Sequence, residues 1–267
     1  MLSIFIEINV AMSLQRIFAL GLLLSSALTS FASGWQLQQK KSIDIAPEKV
    51  QFDTFEAIKD KHFPLIVDVV LLDNGTYKAG LTIQSQDNVQ SVLDVATQKD
   101  AFLATNGGFY QEGFLVNGLL IDQSKLRLPL VNNTLLSSII TIDQQGQINI
   151  LDKDQKYHHA YYAFQVGPIL LKDNIVQKVN DDKIAKRIIY AQTSTKLMVI
   201  YIDSTTLQQA AYVVKALADY FDIKIKRAVN FDGGKAGAFI LRKYMTPVIY
   251  PEYSPVKSVV YFSLNVA

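Results

Sequence analysis

The chain has no cysteine among its 267 residues. That excludes thiol catalysis, cysteine-ligated zinc, disulfide staples and a lipidated N-terminal cysteine. Three histidines are too few for a His-rich metal site, and no metal or organic cofactor is expected. A surplus of one charge is missing too: 26 Lys+Arg stand against 24 Asp+Glu, a net +2. Nucleic acid attracts a concentrated basic surface, so it is not an expected partner. There is no Walker loop, no zincin helix and no Gly-x-Ser-x-Gly elbow. No Pro/Gly/Ser-rich linker and no low-complexity tract interrupts residues 33–267, which read as one domain. With 49% hydrophobic and 19% charged residues, the composition is that of a folded chain with a substantial core. A disordered tail, a collagen-like fibre and a polytopic membrane protein are excluded.

The first 32 residues have their own logic. From Met12 the sequence reads MSLQRIFALGLLLSSALTSFAS. Arg16 supplies the charge, 17–28 the apolar segment, and Ser30-Phe31-Ala32 a small-x-small cleavage site. This is the pattern of a secretory signal peptide. The apolar run is about a dozen residues, short of the ~20 that span a bilayer, so no stable membrane span is expected after cleavage. Residues 1–11 read as an extra upstream start. The mature chain is expected from near Ser33, in the periplasm or secreted.

Within 33–267, short apolar strand candidates predominate. They include 43–45, 63–72, 77–83, 101–105, 137–142, 148–151, 161–166, 169–172, 187–192, 197–202, 227–231 and 258–265. Asp73-Asn74-Gly75 suggests that 63–72 and 77–83 pair as a hairpin. Leu207, Ala210, Ala211, Val214, Leu217 and Ala218 form one helical stripe over 207–220, and 89–99 has helical spacing too. The expected class is α+β: a mixed sheet with a few packed helices in a single domain. Residues 89–108 and 207–234 each read helix, strand, Asn, then Gly-Gly, which raises an internal pseudo-repeat or a chance echo.

Several polar positions could carry chemistry. Asn106-Gly107-Gly108 follows a strand; its paired glycines bring N–H groups close to an anion or simply make a turn. In Asn230-Phe231-Asp232-Gly233-Gly234, strand alternation puts Asn230 and Asp232 on one side and Phe231 on the other. That is a site or an Asx-turn. Arg187, at the head of an apolar strand, suits a phosphate or carboxylate, or a solvated edge. Gly167-Pro168 forces a turn after Gln165. Asp203 precedes the long helix and could cap it, as could Ser204.

In this order, Asn-Gly-Gly-Phe-Tyr, Gly-Pro, a strand-opening Arg and Asn-Phe-Asp-Gly-Gly resemble the phosphodiester glycosidase family, from about Phe63 to the C-terminus. The resemblance implies a phosphodiester glycosidase-like α+β domain with its motif loops gathered in one cleft. It also implies hydrolysis of a sugar-1-phosphodiester at the anomeric carbon. It assigns catalysis to Asp232, Arg187 and Asn106, and substrate binding to Gly107, Gly108, Gly167, Asn230, Gly233 and Gly234. Asp232 would be nucleophile or base, and Arg187 with the Gly-Gly loops would hold phosphate. The expected partner is a sugar phosphate or glycan. The chain departs from the family pattern at Val166, and at Lys235 and Ala236 where a small residue and a hydroxyl are usual. Lys235 and Ala236 favour the alternative, a non-catalytic periplasmic glycan- or phosphoglycan-binding module, while Asp232 and Arg187 favour the enzyme.

Overall fold

The computed structural model describes residues 29–30, 34–46, 49–60, 63–157, 159–242 and 246–265. The expected leader over 1–32 lies outside them, except for Thr29–Ser30, which pair with Leu37 and Gln36.

Leu65–Asp73 is apolar on both faces. Val67, Val69 and Leu71 are buried on one side, Val70 and Leu72 on the other. Such a strand must be covered on both faces, and it sits inside a nine-stranded sheet. Its neighbours are Val50–Ile58 and Lys196–Thr205. Beyond the latter come Ala185–Gln192, Arg227–Asn230 and Ile169–Lys172. The helix Leu207–Tyr220 covers one face of this sheet. Thr206 caps it through a reciprocal box with Gln209, and a cap of this kind contributes about 1 kcal/mol. Its buried stripe of small residues, including Ala210, Ala211 and Ala218, lets the helix lie close to the strands.

Two five-stranded sheets cover the other face. One is built around Tyr162–Val166 and Ser138–Ile142. The other sets Leu103–Asn106 between Phe239–Leu241 and Ser258–Leu264. All three sheets share one core that contains Phe52, Tyr190, Phe164, Phe231, Phe239 and Phe262. The short helix Val92–Gln98 packs on the outside of the last sheet, against Ala104, Ile240 and Val259.

The fold is mainly sheet, with two helices among the described residues. Every strand pairing among them is antiparallel, so the mixed sheet expected from the sequence is corrected. Many neighbours are joined by short turns, which suffice only for antiparallel strands. The expected 63–72/77–83 hairpin does not form. Both edges of Leu65–Asp73 are occupied, and after the turn Tyr77–Ile83 joins another sheet beside Ser258–Leu264. The two arms of the suspected repeat lie in different sheets, and nothing further supports a repeat.

Candidate active site

A cleft of about 2020 Å³ opens where the Ala185–Gln192, Lys196–Thr205 and Arg227–Asn230 strands end. Segments 109–114 and 177–187 form two of its walls. Arg187, Asn230, Asp232, Gly233 and Gly234 all line it. Alternation along the strand explains part of this grouping: Phe231 points into the core, stacked on Tyr190 with ring centroids 4.1 Å apart, and its neighbours face the cleft.

The Gly167-Pro168 turn fixes Asn230. The Gly167 amide donates to the Asn230 carbonyl at 3.0 Å, and the Asn230 amide donates to the Pro168 carbonyl at 3.1 Å. The Asn230 Nδ2 donates to the carbonyls of Gly167 (3.3 Å) and Phe231 (2.6 Å). Those two carbonyls define the orientation of the amide, since a flipped group would set oxygen against oxygen. Its Oδ1 is buried and has no hydrogen-bond partner among the described residues, on a residue only 3% exposed. A buried acceptor left in this state costs about 1–3 kcal/mol. Asn230 itself lines the cleft.

Asp232 is half-buried, and desolvation lifts its carboxyl to about 6. The Gly233 N–H and the charge of Lys183 pull the other way and recover only part of the shift. Behind it, Asn106 acts as a clip. Its Nδ2 donates to the Asp232 carbonyl at 2.7 Å, and its Oδ1 accepts from the Ala238 amide at 2.9 Å. Asn106 is buried and stands outside the cleft lining, with both ends of its side chain engaged by the protein.

The Gly107 amide donates to the Ser258 carbonyl at 2.7 Å and the Gly234 amide to the Lys186 carbonyl at 3.0 Å. The Gly233 amide serves the Asp232 carboxyl. The N–H groups of Gly107, Gly233 and Gly234 are thus engaged by the protein itself. Gly107, Gly108 and Gly167 stand outside the cleft lining. Their role is close approach: a Cβ on Gly108 would lie 3.0 Å from the Gln165 carbonyl oxygen, and one on Gly233 2.6 Å from that of Lys186. Gln165 is likewise a structural clip, with Oε1 accepting from the amides of Leu119 and Val131.

Arg187 is 6% exposed and reaches the cleft. Its Nε donates to the Thr205 carbonyl at 3.1 Å, and Nη2 donates to Asp181 at 3.1 Å and to the Lys183 carbonyl. Its Nη1 has no hydrogen-bond partner among the described residues. Desolvation lowers the guanidinium's pKa, and Asp181 opposes that effect.

This site sits in a matched family region: the phosphodiester glycosidase family model fits residues 99–262. The chain belongs to the phosphodiester glycosidase family. Among solved structures, it is similar to the zebrafish N-acetylglucosamine-1-phosphodiester alpha-N-acetylglucosaminidase catalytic domain. The TM-score is 0.59 at 16% identity, over 85% of this chain and 87% of that one. It is also similar to a hypothetical protein from Synechocystis, with a TM-score of 0.61 at 12% identity over 86% and 68% of the two chains. At such identities the likeness shows the fold alone. No curated protein matches the sequence.

The cleft of this phosphodiester glycosidase family member also holds residues that the sequence did not single out for it. Asp181 and Lys183 come from the 177–184 segment, which has no periodicity to mark it. Lys186 packs its Nζ 4.4 Å from the Tyr253 ring and donates to the Pro251 carbonyl at 2.6 Å. Tyr201 and Tyr250 stack in parallel, 4.0 Å apart, beside Asp203. The Asp203 carboxyl is raised by burial, and backbone N–H groups, including that of Ile66 at 3.2 Å, hold it. No group of three His, Asp or Glu side chains able to hold a metal occurs among the described residues. No helix there is long and apolar enough to cross a membrane.

Proposed function

We propose that the protein is an exported hydrolase that cleaves sugar-1-phosphodiesters at the anomeric C–O bond, with Asp232 as nucleophile or as the base that activates water. One observation carries this reading. A carboxyl lifted to about 6 by burial shares its cleft with Arg187 and with the unpartnered acceptor of Asn230. Ordinary glycosidases need a strong general acid because an alkoxide leaves poorly. Here the leaving group is a phosphate monoester with a second pKa of about 6, which departs as an anion. The demand moves from proton donation to anion stabilisation. Arg187 Nη1 and Lys183 meet it from one wall. Above pH 6 the ionised Asp232 attacks the anomeric carbon or takes a proton from water. Asn230, which lines the cleft beside Asp232, orients the sugar ring. Water is consumed, and the products are a free sugar and a phosphate monoester. The signal-peptide pattern of the sequence over 12–32 supports action outside the cytoplasm.

The test is turnover. Purified protein incubated with a glycosyl phosphodiester should release reducing sugar and phosphomonoester together. Asp232→Asn should lower the rate by at least the ~10²-fold typical of an acid–base group. Tight binding without any release would favour the phosphoglycan-binding module, a reading in keeping with Lys235 and Ala236 after the Asp-Gly-Gly turn.

A further inference from the structure

The cleft holds more positive charge than one phosphodiester needs. Its cations are Lys172, Lys178, Lys183, Lys186, Arg187 and Lys235; its anions are Glu112, Asp181, Asp203 and Asp232. The cleft therefore carries two more cations than anions, a surplus as large as that of the whole chain. Several of these charges already have a task. Lys172 pairs with Asp152, and Arg187 with Asp181. Lys183 acts on Asp232, and Lys186 lies over Tyr253. Lys178 and Lys235 remain, with no ion pair or side-chain hydrogen bond among the described residues. They come from different segments, Lys178 from the 177–187 wall and Lys235 from the loop that carries Asp232. The space is also generous. A site for one small ligand occupies about 300–1,000 Å³, and this cleft has about 2020 Å³.

We infer that the substrate is a glycan whose repeats are joined by phosphodiesters. One phosphodiester lies at Asp232 and Arg187 while a neighbouring one is held by Lys178 and Lys235. The inference rests on the proposed hydrolysis and adds the substrate class. The modest net charge favours a phosphoglycan over nucleic acid, because +2 lacks the concentrated basic surface that a nucleic-acid strand requires. The step balances as above. Water adds across one anomeric C–O bond inside the polymer, leaving a reducing sugar on one fragment and a phosphomonoester on the other.

A chain-length series tests it, using one-, two- and three-repeat glycosyl phosphodiesters with the same cleavable linkage. At low salt, kcat/KM should rise tenfold or more from one repeat to three. The gain should shrink as ionic strength is raised to about 0.5 M, where the screening length falls to a few ångströms. The Lys178→Gln, Lys235→Gln double variant should lose tenfold or more on the three-repeat substrate and much less on the single repeat. Equal kcat/KM at every length overturns the inference, as does an equal loss on both substrates. So does a single-stranded oligonucleotide that competes as well as the three-repeat glycan. Should no length be cleaved, the hydrolytic reading fails, and calorimetry still decides this point. The wild type must bind three repeats at least tenfold more tightly than one, with the difference lost in the double variant.

Discussion

Asp232→Asn exchanges one titrating oxygen for an amide of the same shape. The Asn Oδ1 can still accept the Gly233 N–H, so packing and the turn are kept. What changes is the cost of burying a charge. The carboxyl moves from 3.8 in the unfolded chain to about 6 in the fold. At about 1.36 kcal/mol per pKa unit, the ceiling is about 3 kcal/mol. Asp232 is only half-buried, and solvent screening brings the expectation to roughly 1–2 kcal/mol. The sign follows from proton linkage. Between pH 3.8 and 6 the folded state holds a proton that the unfolded state has released, so stability falls as pH rises through that window. Above it the cost is constant. The variant should therefore match the wild type near pH 3.5 and exceed it in stability at pH 7. Urea denaturation of both proteins from pH 3.5 to 8 measures the difference. Wild-type kcat/KM should rise through pH 6, and the variant should lose that limb together with its activity. A stability difference that is zero, or independent of pH, would refute the claim that Asp232 is a desolvated carboxylate.

Three further outcomes are expected. Arg187→Lys keeps the charge but loses the Nε bond to Thr205 and the planar fork, so steady-state kinetics should show kcat/KM down roughly 10–100-fold, with KM raised as well as kcat lowered. Asn106→Ala strips partners from the Asp232 carbonyl and the Ala238 amide; denaturation should register a loss of about 2 kcal/mol or more, and kcat should fall although the side chain is outside the cleft. Asp152, held at about 2 by Arg227 and Lys172, contributes stability above pH 3.8 that disappears as pH falls through 2. Being partly exposed, it is worth about 1 kcal/mol, so Asp152→Asn should be less stable at pH 6 and equal to wild type near pH 2.

Local signals determine some elements and mislead on others. The Leu207–Tyr220 helix has the bounds its apolar stripe predicts, because one face packs and the other is wet. Ala185–Gln192 and Lys196–Thr205, both marked by apolar runs, pair across the short turn between them. The Asp73-Asn74-Gly75 turn misleads because a turn reports that the chain changes direction, not which strand it will meet. Leu65–Asp73 finds both partners far away in sequence. Val50–Ile58 escapes sequence reading altogether. It carries Asp53 at a fully buried position, where burial raises the carboxyl. Gln39 and Gln51 satisfy it at 2.7 and 2.8 Å. A polar network inside a strand erases the alternation that would announce it.

The site divides along the same line. Asn230 and Asp232 are legible because two-residue periodicity is a local property and Phe231 between them anchors the phase. Asn106-Gly107-Gly108 is legible as an unusual turn, but its purpose is not. The Asn106 bond to Asp232 joins residues 126 positions apart. Paired glycines announce only that something comes close to the backbone. Whether that neighbour is a ligand or the protein is a tertiary fact. Beside Gly107 it is Ser258, and beside Gly233 it is the Lys186 carbonyl. The glycines thus let the chain close tightly behind Asp232. In the proposed reaction the anion is left to side chains: Arg187, braced by Asp181, and the lysines of the opposing loops.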